Sequence, residues 1–215
     1  MITPSLAMIP QAYKSGKVYS QLPVSGGGDF DFTRAGSATR VGKDGFIEEV
    51  GANVPRLDYS NGGCPSLLLE PTRLQKIPYS EDFTSSWGLG NLTVSANQAI
   101  SPNGTLSADK IIANSVTSAI YIWNTQTTSA SDHSLSFFVK YNGKQFVQLL
   151  FGGGLNPTAY SNFDLINGIV TSGIGEIKDL GNGWYRISIS TALLAATDQV
   201  YLWVIDSANA SRGAS

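Results

Sequence analysis

The sequence predicts an all-β protein, in which a proline-broken module of extended segments and short strands precedes a jelly-roll β-sandwich. Three observations predict it. Period-two runs of aromatic and β-branched residues recur along the chain. The joints between them carry Gly, Asn, Asp and Pro in turn-forming combinations. No stretch sustains the 3.6-residue apolar spacing of an amphipathic helix, and Ser190 to Thr197 comes nearest to a helical turn.

The first expected domain covers residues 1–78. It is punctuated by Pro4, Pro10, Pro23, Pro55, Pro65, Pro71 and Pro78, each of which removes a ladder donor. Phe30 and Phe32 alternate with Asp29, Asp31 and Thr33, as in a short half-buried strand. Lys43-Asp44-Gly45 reads as a turn into a strand from Phe46 to Val50, and Leu67-Leu68-Leu69 is a brief apolar run before Glu70-Pro71. Such a segment wraps rather than folds on its own core, so it reads as an extended segment that needs a partner surface to be stable.

The second expected domain, residues 79–215, holds longer runs. Strands are expected at Ala119 to Trp123, Leu135 to Tyr141, Phe146 to Phe151, Ile166 to Thr171, Trp184 to Ser190 and Val200 to Asp206. Turns are expected at Ser101-Pro102-Asn103-Gly104, Asn142-Gly143, Asn167-Gly168 and Gly181-Asn182-Gly183. Strands at this spacing suit a sandwich.

Composition excludes several function classes. Of 215 residues 42% are hydrophobic, and only 14% are charged, against about 25% in ordinary soluble domains. Hydroxyl and amide side chains must therefore supply the surface polarity. A net charge of −2, with 14 basic residues scattered along the chain, argues against nucleic acid, whose phosphates demand a basic patch. No apolar run approaches the ~18 residues of a membrane span. Met1 to Pro10 lacks the basic start of a secretory signal. The lone Cys64 and lone His133 exclude a disulfide framework, a cysteine-rich zinc site and a histidine metal cluster. His133 itself reads as a loop histidine capping a turn before a strand. Gly26-Gly27-Gly28 and Gly152-Gly153-Gly154 lack the Lys-Ser/Thr that would follow in a phosphate loop, and read as joints or tight turns.

The candidate binding residues are aromatic. Tyr121 and Trp123 share one face of their run while Ile120 and Ile122 share the other, and Tyr201 and Trp203 oppose Leu202 and Val204 in the same way. With the aliphatic faces in the core, the two Tyr/Trp pairs form an exposed platform on which a pyranose could stack. The competing expectation is that both faces are buried, between sheets or against another subunit. Trp87, beside Gly88 and Gly90, is either a ligand contact or a plug at the sandwich end. Trp184 and Arg186 are expected to form a structural cation–π pair. Glu81, Asp82 and Asp109 are candidates for a structural Ca²⁺ site built from hard oxygen ligands, weighed against solvated or capping roles. Glu48 and Glu49 are adjacent and point to opposite faces of a strand, so they cannot form the facing carboxylate pair of a glycosidase. No catalytic residue is nominated, and the protein is not expected to be an enzyme.

Two stretches carry a family resemblance. One is Asp31-Phe32-Thr33-Arg34-Ala35-Gly36-Ser37-Ala38-Thr39-Arg40-Val41, continued by Gly45-Phe46-Ile47-Glu48 and Asn53-Val54-Pro55-Arg56-Leu57-Asp58-Tyr59. The other is Ser66-Leu67-Leu68-Leu69-Glu70-Pro71-Thr72-Arg73 with Tyr79-Ser80-Glu81-Asp82-Phe83. With the opening Ala7-Met8-Ile9-Pro10, they resemble the N-terminal part of bacteriophage tail- and head-fibre proteins, in which this module precedes a carbohydrate-binding-like jelly roll. Ala108-Asp109-Lys110 and Gly183-Trp184-Tyr185-Arg186-Ile187-Ser188 extend the resemblance over nearly the whole chain.

The resemblance implies a virion structural protein on the phage particle, assembled in the bacterial cytoplasm. It implies sister chains in a homotrimer, and docking to capsid or tail proteins through residues 1–78. Recognition of a host-surface polysaccharide is the alternative role, and a capsule-degrading glycosidase a remote one. One departure stands out. Relatives usually continue past the equivalent of Val200 to Asp206 into a closing strand with another tryptophan, so either the chain is part of a longer fibre or a neighbour supplies that strand.

Overall fold

The computed structural model describes residues 10–20, 27–60, 63, 65–70, 74–114 and 119–213. Ala7-Met8-Ile9, Gly26, Cys64 and Pro71-Thr72-Arg73 lie outside them. The described residues form an all-β protein of antiparallel strands, with no helix among them and so none long and apolar enough to cross a membrane. The chain divides into two compact units, Met1–Arg73 and Leu74–Ser215.

The described residues of Met1–Arg73 form three small sheets. Strands β1 (Pro10–Lys14), β2 (Lys17–Ser20) and β3 (Phe30–Asp31) make the first. A hairpin of β4 (Ala38–Val41) and β5 (Ile47–Val50) makes the second, and β6 (Leu57–Asp58) with β7 (Ser66–Leu67) the third. The expected turn at Lys43-Asp44-Gly45 is present. Gly45 has φ of 80°, and the Gly42 amide closes the hairpin on the Phe46 carbonyl at 2.7 Å.

Apolar burial among the described residues of this unit is slight. Among its described residues, the buried hydrophobic side chains are Val18, Val50 and Pro55. Polar latches do the holding. The Arg34 guanidinium donates to the carbonyls of Gly36, Val50 and Gly51 at 2.8, 3.1 and 2.6 Å. The Arg34 amide donates to Asn53 Oδ1 at 2.9 Å, and the Asn53 amide returns a bond to the Arg34 carbonyl at 3.1 Å. Arg40 and Glu48 face one another across the hairpin and pair at 2.7 Å. Asp58 Oδ2 accepts from the Val41 amide at 2.8 Å, and Arg56 reaches Glu70 at 2.6 Å. The residues of the first motif run are therefore fastenings for short strands.

Leu74–Ser215 is a sandwich. Its strands are β8 (Gly88–Gly90), β9 (Leu92–Ile100), β10 (Leu106–Ala113), β11 (Ile120–Thr127), β12 (Ser131–Lys140) and β13 (Phe146–Phe151). They are followed by β14 (Tyr160–Asp164), β15 (Ile169–Gly173), β16 (Glu176–Asp179), β17 (Trp184–Leu193) and β18 (Thr197–Ile205). One sheet has six strands in the order β15-β14-β13-β18-β11-β8, another has three in the order β12-β17-β16, and β9 and β10 pair as a hairpin. The strand order requires crossovers between sheets and is compatible with a jelly roll. Ile122, Leu149, Phe163 and Leu202 from the large sheet share one core with Leu135, Phe137, Ile187 and Ile189 from the small one.

Several boundaries differ from the expected ones. His133 lies within β12 rather than in a loop, with Nε2 3.1 Å from Ser131 Oγ and 3.2 Å from the Ser129 carbonyl. Ile166 belongs to the turn ahead of β15, where Asp164 accepts from the Ile166 and Asn167 amides at 2.9 and 3.0 Å. Ser190–Leu193 continues β17 instead of coiling. Trp184 gives its indole N–H to the Ile100 carbonyl at 3.0 Å, and Arg186 is not its cation–π partner.

Candidate functional site

The pleat of the six-stranded sheet sends Ile122, Leu149 and Leu202 into the core, and Tyr121, Trp123, Gln148, Tyr201 and Trp203 to the opposite face. Register sets these side chains in rows. Tyr121 lies opposite Trp203, which lies opposite Gln148, which lies opposite Asn162. In the next row Trp123 lies opposite Tyr201, and Tyr201 opposite Leu150.

The four aromatic residues of the expected platform thus share one face, but they do not lie open on it. Tyr121 and Trp203 stack on each other at 4.6 Å and 18°. Tyr121 leans across the edge strand β8: a Cβ at Gly90 would sit 2.6 Å from its ring. Trp123 covers Gly88 more closely still, at 1.9 Å from the equivalent position. These two glycines are what allow β8 to pass beneath the rings. On the far side of the stack, Gly213 approaches the Trp203 ring to about 4.0 Å measured from its ideal Cβ position. The faces of Tyr121 and Trp203 are therefore taken up by the protein itself. Tyr201 meets Tyr121 edge-on at 5.9 Å and 68°.

Residues 207–213 cross this face as a strap. Asn162 Nδ2 donates to the carbonyls of Ala208 and Ala210 at 3.1 and 2.8 Å, and Thr171 Oγ1 to Ala208 at 2.7 Å. Gln148 Nε2 donates to the Ser211 carbonyl at 3.2 Å while its Oε1 accepts from the Gly213 amide at 2.8 Å. Gln148 and Asn162 are fully buried and bond to each other at 2.7 Å. A buried amide with all its partners fixes position far better than an apolar side chain would. Arg212 completes the strap by donating to the Phe151 carbonyl.

Between the strap, β18 and the loop after β13 opens a groove of about 290 Å³, lined by Leu150, Gly152, Gly153, Asp198, Tyr201, Trp203, Arg212 and Gly213. Asp198 is held at its rim by two amides, Gly154 at 2.8 Å and Gln199 at 2.7 Å. The Gly152 Cβ position falls 2.5 Å from the Asp198 carboxyl carbon, so a side chain there would push the loop off the carboxylate. Burial raises the Tyr201 phenol above its ordinary pKa; Asp198 and Tyr121 add to the rise and Arg212 opposes it. Both charges of the groove thus act on one hydroxyl.

The remaining candidates sit elsewhere. Trp87 packs against Phe83 at 5.1 Å and Phe137 at 5.7 Å, and its indole N–H donates to the Tyr79 carbonyl at 3.2 Å. It closes the core as a plug. Asp109 accepts from the Phe83 amide at 3.2 Å and from Asn97 at 3.1 Å, bracing the bulge where Asn97 takes φ of 56°. Asp82 accepts from the Thr84 hydroxyl and from the Thr84 amide at 2.9 Å, and these bonds, with one from the Ser85 side chain, hold its carboxyl below the ordinary range. Glu81, Asp82 and Asp109 do not converge, and among the described residues no three acidic, histidine or cysteine side chains gather as a metal site would need.

Asp198, Arg212 and the Gln148–Asn162 pair were not singled out from the sequence. Gln148 carried a signal, as the one polar residue within the apolar run Phe146 to Phe151. No family model matches this chain and no curated protein matches it.

Proposed function

We propose that this chain is a bacteriophage virion structural protein, a subunit of a head fibre, tail fibre or related appendage. Its N-terminal module, residues 1–78, docks to capsid or tail proteins and to sister chains in a homotrimer, and its sandwich is displayed on the particle surface. The observation that carries this reading is the thin core of Met1–Arg73, where Val18, Val50 and Pro55 are the buried hydrophobic side chains among the described residues. So few apolar contacts offset little of the entropy of ordering that much chain, and association with other surfaces supplies the rest. The resemblance from Asp31 to Phe83 points the same way. Size-exclusion chromatography with light scattering tests it. A trimer at micromolar concentration is expected, and a stable monomer would count against the assembly.

A second reading is recognition of a host-surface polysaccharide, and the groove beside Tyr201 and Asp198 favours it. An aromatic wall with a fixed carboxylate and a guanidinium is the mixture that a ring bearing hydroxyls requires. Binding to a bacterial glycan array, reduced by a substitution on this face, is the expected outcome. Absence of binding across capsule sugars would leave the structural role alone.

A further inference from the structure

We propose that the groove between the strap, β18 and the loop after β13 binds one neutral sugar ring, with Asp198 accepting from two adjacent hydroxyls. Arg212 donates to a ring substituent, and Tyr201 covers an apolar face of the ring. This rests on the glycan-recognition reading and narrows it, because the site is the groove and not the Tyr121–Trp203 platform.

Size comes first. At about 290 Å³ the groove falls just below the range for drug-sized ligand sites, roughly 300–1,000 Å³, so it suits a single ring rather than a length of chain. Trp203 and Gly213 wall one side.

Hydrogen-bonding capacity comes next. A carboxylate has about four acceptor positions, and two of those on Asp198 are filled by the Gly154 and Gln199 amides. Those bonds fix its orientation and leave acceptor sites for hydroxyl donors. On the donor side, Trp203 Nε1 and Arg212 Nε are buried without a hydrogen-bond partner. Both belong to groove-lining residues, and an unmet buried donor is costly.

Charge then selects the class. One carboxylate and one guanidinium line the groove and offset each other, so a free anion meets Asp198 and a free cation meets Arg212. A neutral ring carrying vicinal hydroxyls meets neither penalty. The loop glycines fit the same role. Gly152 lets the backbone come close to the carboxylate, while Gly153 faces open space with nothing within 4 Å of its Cβ position.

The test is a titration of the ¹⁵N-labelled full chain with the methyl glycosides of glucose, galactose, mannose and N-acetylglucosamine, with methyl glucuronide as the charged comparator. Saturable shifts at the amides of Gly152 to Gly154, Gln199 and Gly213 are expected with at least one neutral glycoside. Gly153→Trp adds a bulky ring to the groove lining from a position whose Cβ meets nothing within 4 Å, and Asp198→Asn removes the charge. Each is expected to weaken binding by about tenfold or more, with Lys178→Ala on the other sheet unchanged and all folds checked by their amide spectra. Binding that maps to Trp123, or that survives Gly153→Trp, overturns the groove while leaving glycan recognition standing. Response to the glucuronide alone overturns the neutral class. Silence with every glycoside and with a glycan array overturns both.

Discussion

Met1–Arg73 and Leu74–Ser215 are both built from antiparallel strands, yet they are held by different forces. The sandwich closes two sheets over a shared cluster that includes Ile122, Leu149, Phe163, Leu202, Ile187 and Ile189. The N-terminal unit has strands of two to five residues and ties them with guanidinium-to-carbonyl and amide-to-carboxylate bonds. The first kind of stabilisation grows with buried area and tolerates sequence drift of similar volume. The second depends on single polar atoms in fixed places. Arg34, Arg40, Asn53, Arg56 and Asp58 are the residues that supply such atoms in the N-terminal unit.

The contrast can be broken most forcefully in the sandwich. Phe163→Ala deletes a ring with 0% exposure and is expected to cost about 3–5 kcal/mol, read as a fall in the denaturation midpoint. A cost below about 1 kcal/mol would mean that the two sheets do not share one core. In the N-terminal unit, Arg34→Ala should cost about 1–3 kcal/mol, since it strips donors from three carbonyls. Hydrogen exchange should rise at Val50 to Asn53 while protection in β11 and β18 stays unchanged.

Acid should sharpen the comparison further. Burial opposes ionisation of Asp164, but bonds from the Asn167 amide and side chain, the Ile166 amide and Gln145 outweigh it and lower its pKa. A lowered folded pKa contributes stability above the unfolded value of about 3.9, and that contribution is lost as pH falls through the folded value. The sandwich is therefore expected to weaken below about pH 4, with Asp164→Asn flattening that slope. The smallest effect belongs to the exposed pair on the β4–β5 hairpin. Glu48→Gln breaks the Arg40 contact and should cost under about 1 kcal/mol, less in high salt.

Much of the fold was legible because alternation is a direct record of the pleat. Phe146 to Phe151 matches β13, and the Ile120/Ile122 and Leu202 positions do face the core. Strand β14 was not legible, since its buried residues include Ser161, Asn162 and Asp164, whose polarity hides the pattern. Ser161 is satisfied by the Ser172 carbonyl and the Gly175 amide, Asn162 by the strap carbonyls of Ala208 and Ala210, and Asp164 by Gln145 and the turn at Ile166 and Asn167. Apart from that turn, the partners are distant in sequence, and no local pattern announces them. The shared face of Tyr121, Trp123, Tyr201 and Trp203 could be read from period two. Their stacking, and the loss of a flat platform, could not, because it follows from the glycines of β8 and from Gly213. The groove was hidden for the same reason: Asp198, Gly152 and Arg212 meet only after three segments converge.

The Tyr121–Trp203 stack also has an optical meaning. Two aromatic chromophores fixed 4.6 Å apart at 18° couple their transitions and give near-ultraviolet circular dichroism that a mobile pair averages away. Trp203 is one of four tryptophans and forms a wall of the groove, so its emission responds to a change in that groove. The protein thereby carries its own spectroscopic reporter at the place where an occupant would enter, and Trp203→Phe identifies which part of the signal belongs to it.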